Sequence, residues 1–88
     1  MKLTKLEQTV FLVLFNSAEG NGHDFGFIED ARKSVKEAKQ LGGVVASLIK
    51  KKLIEVHDPV TTDSGTYTQF TWKSGLDEVR KLHASLTP

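Results

Sequence analysis

Apolar positions near the start of the chain recur at helical spacing. Leu6, Val10, Val13, Leu14 and Ser17 share one face, Phe11 flanks it, and Leu12 and Phe15 point roughly the other way. A helix that is apolar most of the way round is buried on two sides. Thr4-Lys5-Leu6-Glu7 has the spacing of a capping box, in which a hydroxyl and a carboxylate three residues apart satisfy each other's free backbone N–H groups. The pattern predicts a helix over 5–18, stopped by Gly20-Asn21-Gly22.

A second helix is expected over 24–33, with Asp24 as N-cap and Phe25, Ile28 and Ala31, beside Phe27, as its apolar side. Ser34-Val35-Lys36-Glu37 repeats the capping-box spacing and predicts a third helix running to about 52. The alternative is one helix over 27–41, broken at Gly42-Gly43. On a wheel of the third helix, Ala38, Leu41, Val45, Leu48 and Lys52 cluster on one side, with Val44 and Ile49 at its margins. Lys39, Gly43, Ala46 and Lys50 lie opposite, flanked by Gln40 and Ser47. Gly42 falls at the edge of the buried side, where a missing side chain admits a close neighbour. Gly43 falls outward, and two glycines inside a helix cost roughly 2 kcal/mol relative to alanines. Either something outside offsets the exposed glycine, or the helix begins near it.

The period then changes. Residues 53–57 read as a strand, Asp58-Pro59 opens a polar loop that Asp63-Ser64-Gly65 closes, and 66–72 (TYTQFTW) is a second strand by its β-branched and aromatic content. Phe70 and Trp72 share a face that packs on the helices, and Tyr67 faces away from it. After Ser74-Gly75 a last helix over 76–86 places Leu76, Val79, Leu82, His83 and Leu86 on one stripe. The result is one domain over 1–88, mainly α with a small β-hairpin, in the order α-α-α-β-β-α expected of a winged helix.

The run 41–56, LGGVVASLIKKKLIEV, resembles the recognition helix and first wing strand of MarR-type (multiple-antibiotic-resistance regulator) winged helices, and 71–75, TWKSG, resembles their junction between second wing strand and following helix. Lys52 stands where that family usually has glycine. The resemblance implies a DNA-binding transcriptional regulator and a dimer built from terminal helices, although the long extra helices used by the family are missing from this sequence.

Charge sharpens the picture. The chain carries only +1 overall, but residues 32–52 hold seven basic residues against one acidic, a net +6, and the remainder holds five basic and ten acidic, a net −5. Such a segment predicts a directed electrostatic face. With the third helix in a major groove, Gln40 pairs bidentately with adenine, Lys39 donates to guanine acceptors, and Ser47 contacts base or phosphate. Gly43 permits close approach. Arg32, Lys33, Lys36, Lys50 and Lys51 neutralise phosphates, and five such contacts give a log-affinity against log-salt slope of about −4 to −5. The wing argues the other way. Between Leu53 and Trp72 there is no lysine or arginine, and Glu55, Asp58 and Asp63 stand there instead, whereas a narrow minor groove attracts cations. The rival expectation is therefore a winged-helix protein-interaction module that takes an acidic partner.

No cysteine is present, so disulfides and thiolate chemistry are excluded and a reducing, cytoplasmic setting fits. His23, His57 and His83 lie in different elements, His83 as a packing residue, and the carboxylates are scattered, so neither an enzyme nor a metal or organic cofactor is expected. The run Val10 to Phe15 is too short to span a bilayer, and Thr4, Glu7 and Gln8 interrupt any signal-peptide pattern. Leu12 and Phe15 need cover, either from the 76–86 stripe of the same chain or from a second copy in a homodimer.

Overall fold

The computed structural model describes residues 2–22 and 24–87, so His23 lies outside the described residues. Helix α1 (Lys5–Glu19) begins at the expected capping box: the Glu7 N–H donates to Thr4 Oγ1 at 3.2 Å, and the Thr4 N–H donates to Glu7 Oε1 at 2.8 Å. Its buried face is rotated from the one expected. Glu7, Val10, Phe11, Leu14, Phe15 and Ala18 are buried, whereas Leu6 is exposed and Leu12 and Val13 are half-buried.

The expected helix over 24–33 does not form as such. Phe25–Phe27 is a strand, β1, and the chain then makes a 3₁₀ helix, Ile28–Ser34. Phe25-Gly26-Phe27 alternates with period two, and Gly26 explains why the strand wins. A Cβ there would lie 2.7 Å from the buried Phe70 ring and 2.7 Å from Ser17 Oγ. Only a glycine lets this backbone lie so close to both. Ser17 Oγ in turn accepts the Phe27 N–H at 3.1 Å and donates to Asp30 Oδ2 at 2.5 Å, tying α1 to β1 and to the 3₁₀ helix.

Val35 ends that helix in an extended conformation and is only 7 % exposed, so its burial separates the 3₁₀ helix from α2 (Ala38–Lys50). The third helix thus starts later than Ser34. Strand β2 (Ile54–Val56) follows. The expected loop contains a ribbon, β3 (Val60–Thr62) paired with β4 (Gly65–Tyr67), and β5 (Gln69–Trp72) returns to the body. The second wing strand is therefore interrupted at Thr68. There the N–H bonds Glu29 Oε1 and the carbonyl accepts the Ile28 N–H at 2.9 Å. Antiparallel pairing puts β5 between β1 and β2, with Gly26 and Val56 both opposite Phe70 and Ile54 opposite Trp72. Helix α3 (Leu76–Leu86) matches the expected limits.

The architecture is a small mixed α/β domain: among the described residues, three α-helices and a 3₁₀ helix accompany a three-stranded antiparallel sheet and a two-stranded ribbon. One core joins the helices to the inner sheet face through Phe11, Leu14, Leu48, Leu53, Ile54, Phe70 and Val79. Phe15 finds its cover inside the chain. It is 8 % exposed, its ring centroid lies 6.5 Å from that of Trp72, and the His83 imidazole stacks on it at 3.9 Å and 15°. Leu12, Leu82 and Leu86 stay half-buried. Tyr67 is half-buried as well, its ring 5.7 Å from that of Phe27. Among the described residues no helix is long and apolar enough to cross a membrane.

Candidate nucleic-acid interface

Helix α2 is amphipathic, and its buried residues are Leu41, Val44, Val45 and Leu48. Its exposed side carries Lys39, Gln40, Gly42, Gly43, Ala46 and Lys50, with Ile49 at 41 % exposure. Among the described residues neither glycine is closely approached: a Cβ at Gly42 or Gly43 would meet nothing within 4 Å. Gly42 was expected beside a close neighbour, and it instead widens the smooth outward strip that Gly43 and Ala46 begin. Both glycines lie inside the helix, each costing roughly 1 kcal/mol that no internal packing returns.

Of the nine residues that the sequence points to, six are exposed and belong to the last turn of the 3₁₀ helix, the segment before α2, or α2 itself. Arg32 and Lys33 sit on the last turn of the 3₁₀ helix, with Arg32 Nη1 3.3 Å from the Val35 carbonyl it donates to. Lys36 precedes α2, and Lys39, Gly43 and Lys50 lie along it.

The other three are engaged locally. Gln40 is exposed but reaches back over the helix start, where its Oε1 accepts the N–H of Lys36 at 2.9 Å and of Glu37 at 3.2 Å. Both lone pairs of that oxygen are then occupied. A bidentate adenine contact needs the same oxygen as acceptor, so Gln40 retains only its amide donors. The face thus offers Lys39, Lys50 and the Gln40 NH₂ as donors, a chemistry suited to phosphate oxygens or to the N7 and O6 edge of guanine.

Ser47 and Lys51 turn toward α1. Ser47 Oγ donates to Glu7 Oε2 at 2.6 Å, and Lys51 Nζ donates to Glu7 Oε1 at 2.7 Å and to the Lys2 carbonyl at 3.0 Å. Glu7 is 3 % exposed, and it is the buried charge that fastens α2 to α1. Burial alone would push its carboxyl up. The Lys51 ammonium, the Ser47 hydroxyl and the bonds from the Thr4 amide and hydroxyl outweigh burial and lower the pKa to about 2. The network locks the rotation of α2, which decides which side chains face out. Glu7 recurs with Val10, Phe11, Leu14 and Ala18 at helical spacing, so a carboxylate on the true apolar stripe was the signal available for it.

The ribbon adds no cation. Asp58, Asp63 and Glu55 are exposed, as is Val60 at its edge. Its tip is held by hydroxyls: the Ser64 N–H donates to Thr62 Oγ1 at 3.3 Å, and Tyr67 OH lies 3.2 Å from Ser64 Oγ. No family model, curated protein or solved structure matches this chain.

Proposed function

We propose that the chain is a winged helix-turn-helix protein that binds double-stranded DNA as a transcriptional regulator, with α2 lying in the major groove. The observation that carries the reading is the outward side of α2, smooth at Gly42, Gly43 and Ala46 and bearing Lys39 and Lys50, with Arg32, Lys33 and Lys36 exposed just before it. The order of elements supports it. A strand between the first two helices joins the sheet that the later hairpin builds, the 3₁₀ helix is followed directly by α2 in the order a helix-turn-helix needs, and the ribbon lies between β2 and β5 where a wing tip would be. Half-buried Leu12, Leu82 and Leu86 are the surface through which two copies would pair on a palindromic site.

With Lys51 committed to Glu7, the phosphate contacts reduce to Arg32, Lys33, Lys36 and Lys50. Four contacts give a salt slope of about −3 to −4. The test is fluorescence anisotropy of a random duplex at low salt, with the wild type and the charge-reversed variant K36E/K39E/K50E. Binding by the wild type with a slope at least that steep, lost in the variant, supports the reading. Wild-type protein that leaves duplex DNA unbound at tens of micromolar refutes it.

A second reading rests on the acidic, hydroxyl-rich ribbon, which phosphates would repel: a winged-helix module that docks an acidic protein partner on the α2 face. A stoichiometric protein partner mapped to residues 36–51, together with indifference to duplex, would favour it.

A further inference from the structure

Helix α2 ends in a Schellman turn. The Leu53 N–H donates to the Leu48 carbonyl at 3.1 Å and the Lys52 N–H to the Ile49 carbonyl at 2.9 Å, and this closure puts Lys52 at φ +63°. Lys52 is the only non-glycine with positive φ among the described residues. Glycine takes that conformation without a Cβ penalty, and a lysine does not. A cation near a helix C-terminus is favourable, but Lys50 and Lys51 already stand in that turn. Residues kept in such a conformation against local preference cluster at functional sites.

What surrounds Lys52 gives the strain a use. Lys50, Lys52 and Lys73 line one surface groove together with Ile49, Ile54 and Val56, and Glu55 is its single acid. One backbone bond and one side-chain bond set this arrangement. The Lys73 N–H donates to the Leu53 carbonyl at 3.0 Å, and Ser74 Oγ donates to the Lys52 carbonyl at 3.0 Å. The residues just before and just after the cation-free hairpin are thereby clasped together, and each contributes a lysine at its base. Lys50 belongs both to this groove and to the outward side of α2, so the two surfaces are continuous.

We propose that the groove is a phosphate-binding site for the sugar–phosphate backbone of the same duplex, with Lys52 and Lys73 supplying the cations that the ribbon lacks. The site rests on the duplex-binding reading above and extends its footprint past the end of α2. Three ammonium groups against one carboxylate complement a polyanion, and a compact ammonium suits phosphate as a point charge.

The signature is opposite signs in stability and binding. K52G relieves the left-handed lysine, so its melting temperature rises by a few degrees while its affinity for a random duplex falls about 3–10-fold at low salt. K73Q leaves the melting temperature unchanged. The two added contacts steepen the wild-type slope to about −5 to −6; each variant flattens it by about 1, and the double variant returns it to about −3 to −4. Wild-type slopes in K52G and K73Q, with binding still abolished in K36E/K39E/K50E, overturn this site and leave the duplex reading standing. A wild type that does not bind duplex overturns both. Oligoglutamate that binds more tightly than duplex at matched ionic strength, and loses that binding in K52G/K73Q, assigns the groove to an acidic peptide and overturns it too.

Discussion

Replacing Glu7 with glutamine tests the anchor that fixes α2. The carboxyl goes from 4.5 in the unfolded chain to about 2 in the fold. A depression of that size corresponds to about 3 kcal/mol of stability. The folded pKa is the lower one, so the contribution is fully present above pH ~4.5 and is lost as pH falls from there toward ~2. At pH 7, E7Q keeps the shape but loses the charge, and its NH₂ must face donors from Thr4, Ser47 or Lys51. A loss of about 2–3 kcal/mol follows, or roughly 10–20 °C in melting temperature for a domain of this size. The assay is urea unfolding followed by circular dichroism, wild type and E7Q in parallel, from pH 7 to pH 2. Other carboxylates titrate in both proteins, so the difference between the two curves isolates Glu7. That difference should be constant down to about pH 5 and should close toward pH 2. A gap that does not depend on pH, or no gap at pH 7, would refute the claim that an ionised, paired Glu7 holds the two helices.

Three further outcomes follow from the same contacts. G26A forces the buried Phe70 ring and the bonded Ser17 hydroxyl apart, and should cost about 1–3 kcal/mol in chemical denaturation. G42A and G43A enter open space, so each should stabilise by up to ~1 kcal/mol in the same assay, while a bulky G43L should weaken duplex binding. K51M should lower stability through Glu7 yet leave the duplex salt slope as it was, whereas K36Q should flatten that slope by about 1.

Helices α1 and α3 were legible because a period of 3.6 and, for α1, a capping box are local signals. Phe25–Phe27 was not, because what makes it a strand is its pairing with Gln69–Thr71 and a ring that sits on Gly26. Read alone, Phe25, Ile28 and Ala31 are compatible with a helix, and the tertiary contact overrides that preference. The start of α2 falls later than the Ser34–Glu37 spacing predicts, because Val35 is buried in an extended conformation and the capping box that forms pairs Glu37 with Gln40. At the interface, the exposed cations could be read from the net charge of 32–52 and the wheel. The inward turn of Ser47 and Lys51 could not, since their shared partner lies 40 and 44 residues away. Gln40 looked like a base reader because its type fits adenine, and only the geometry of the helix start reveals that its acceptor is occupied.

The most direct test of the proposed function is residue-by-residue mapping of backbone amide shifts as a random duplex is added at low salt. Shifts are expected at Arg32 and Lys33, along Lys36–Lys50 on the outward positions, and at Lys52 and Lys73, with the ribbon from Val60 to Tyr67 unmoved. Shifts centred on that ribbon or on the Phe25–Phe27 strand, or none at all, would contradict the proposed function.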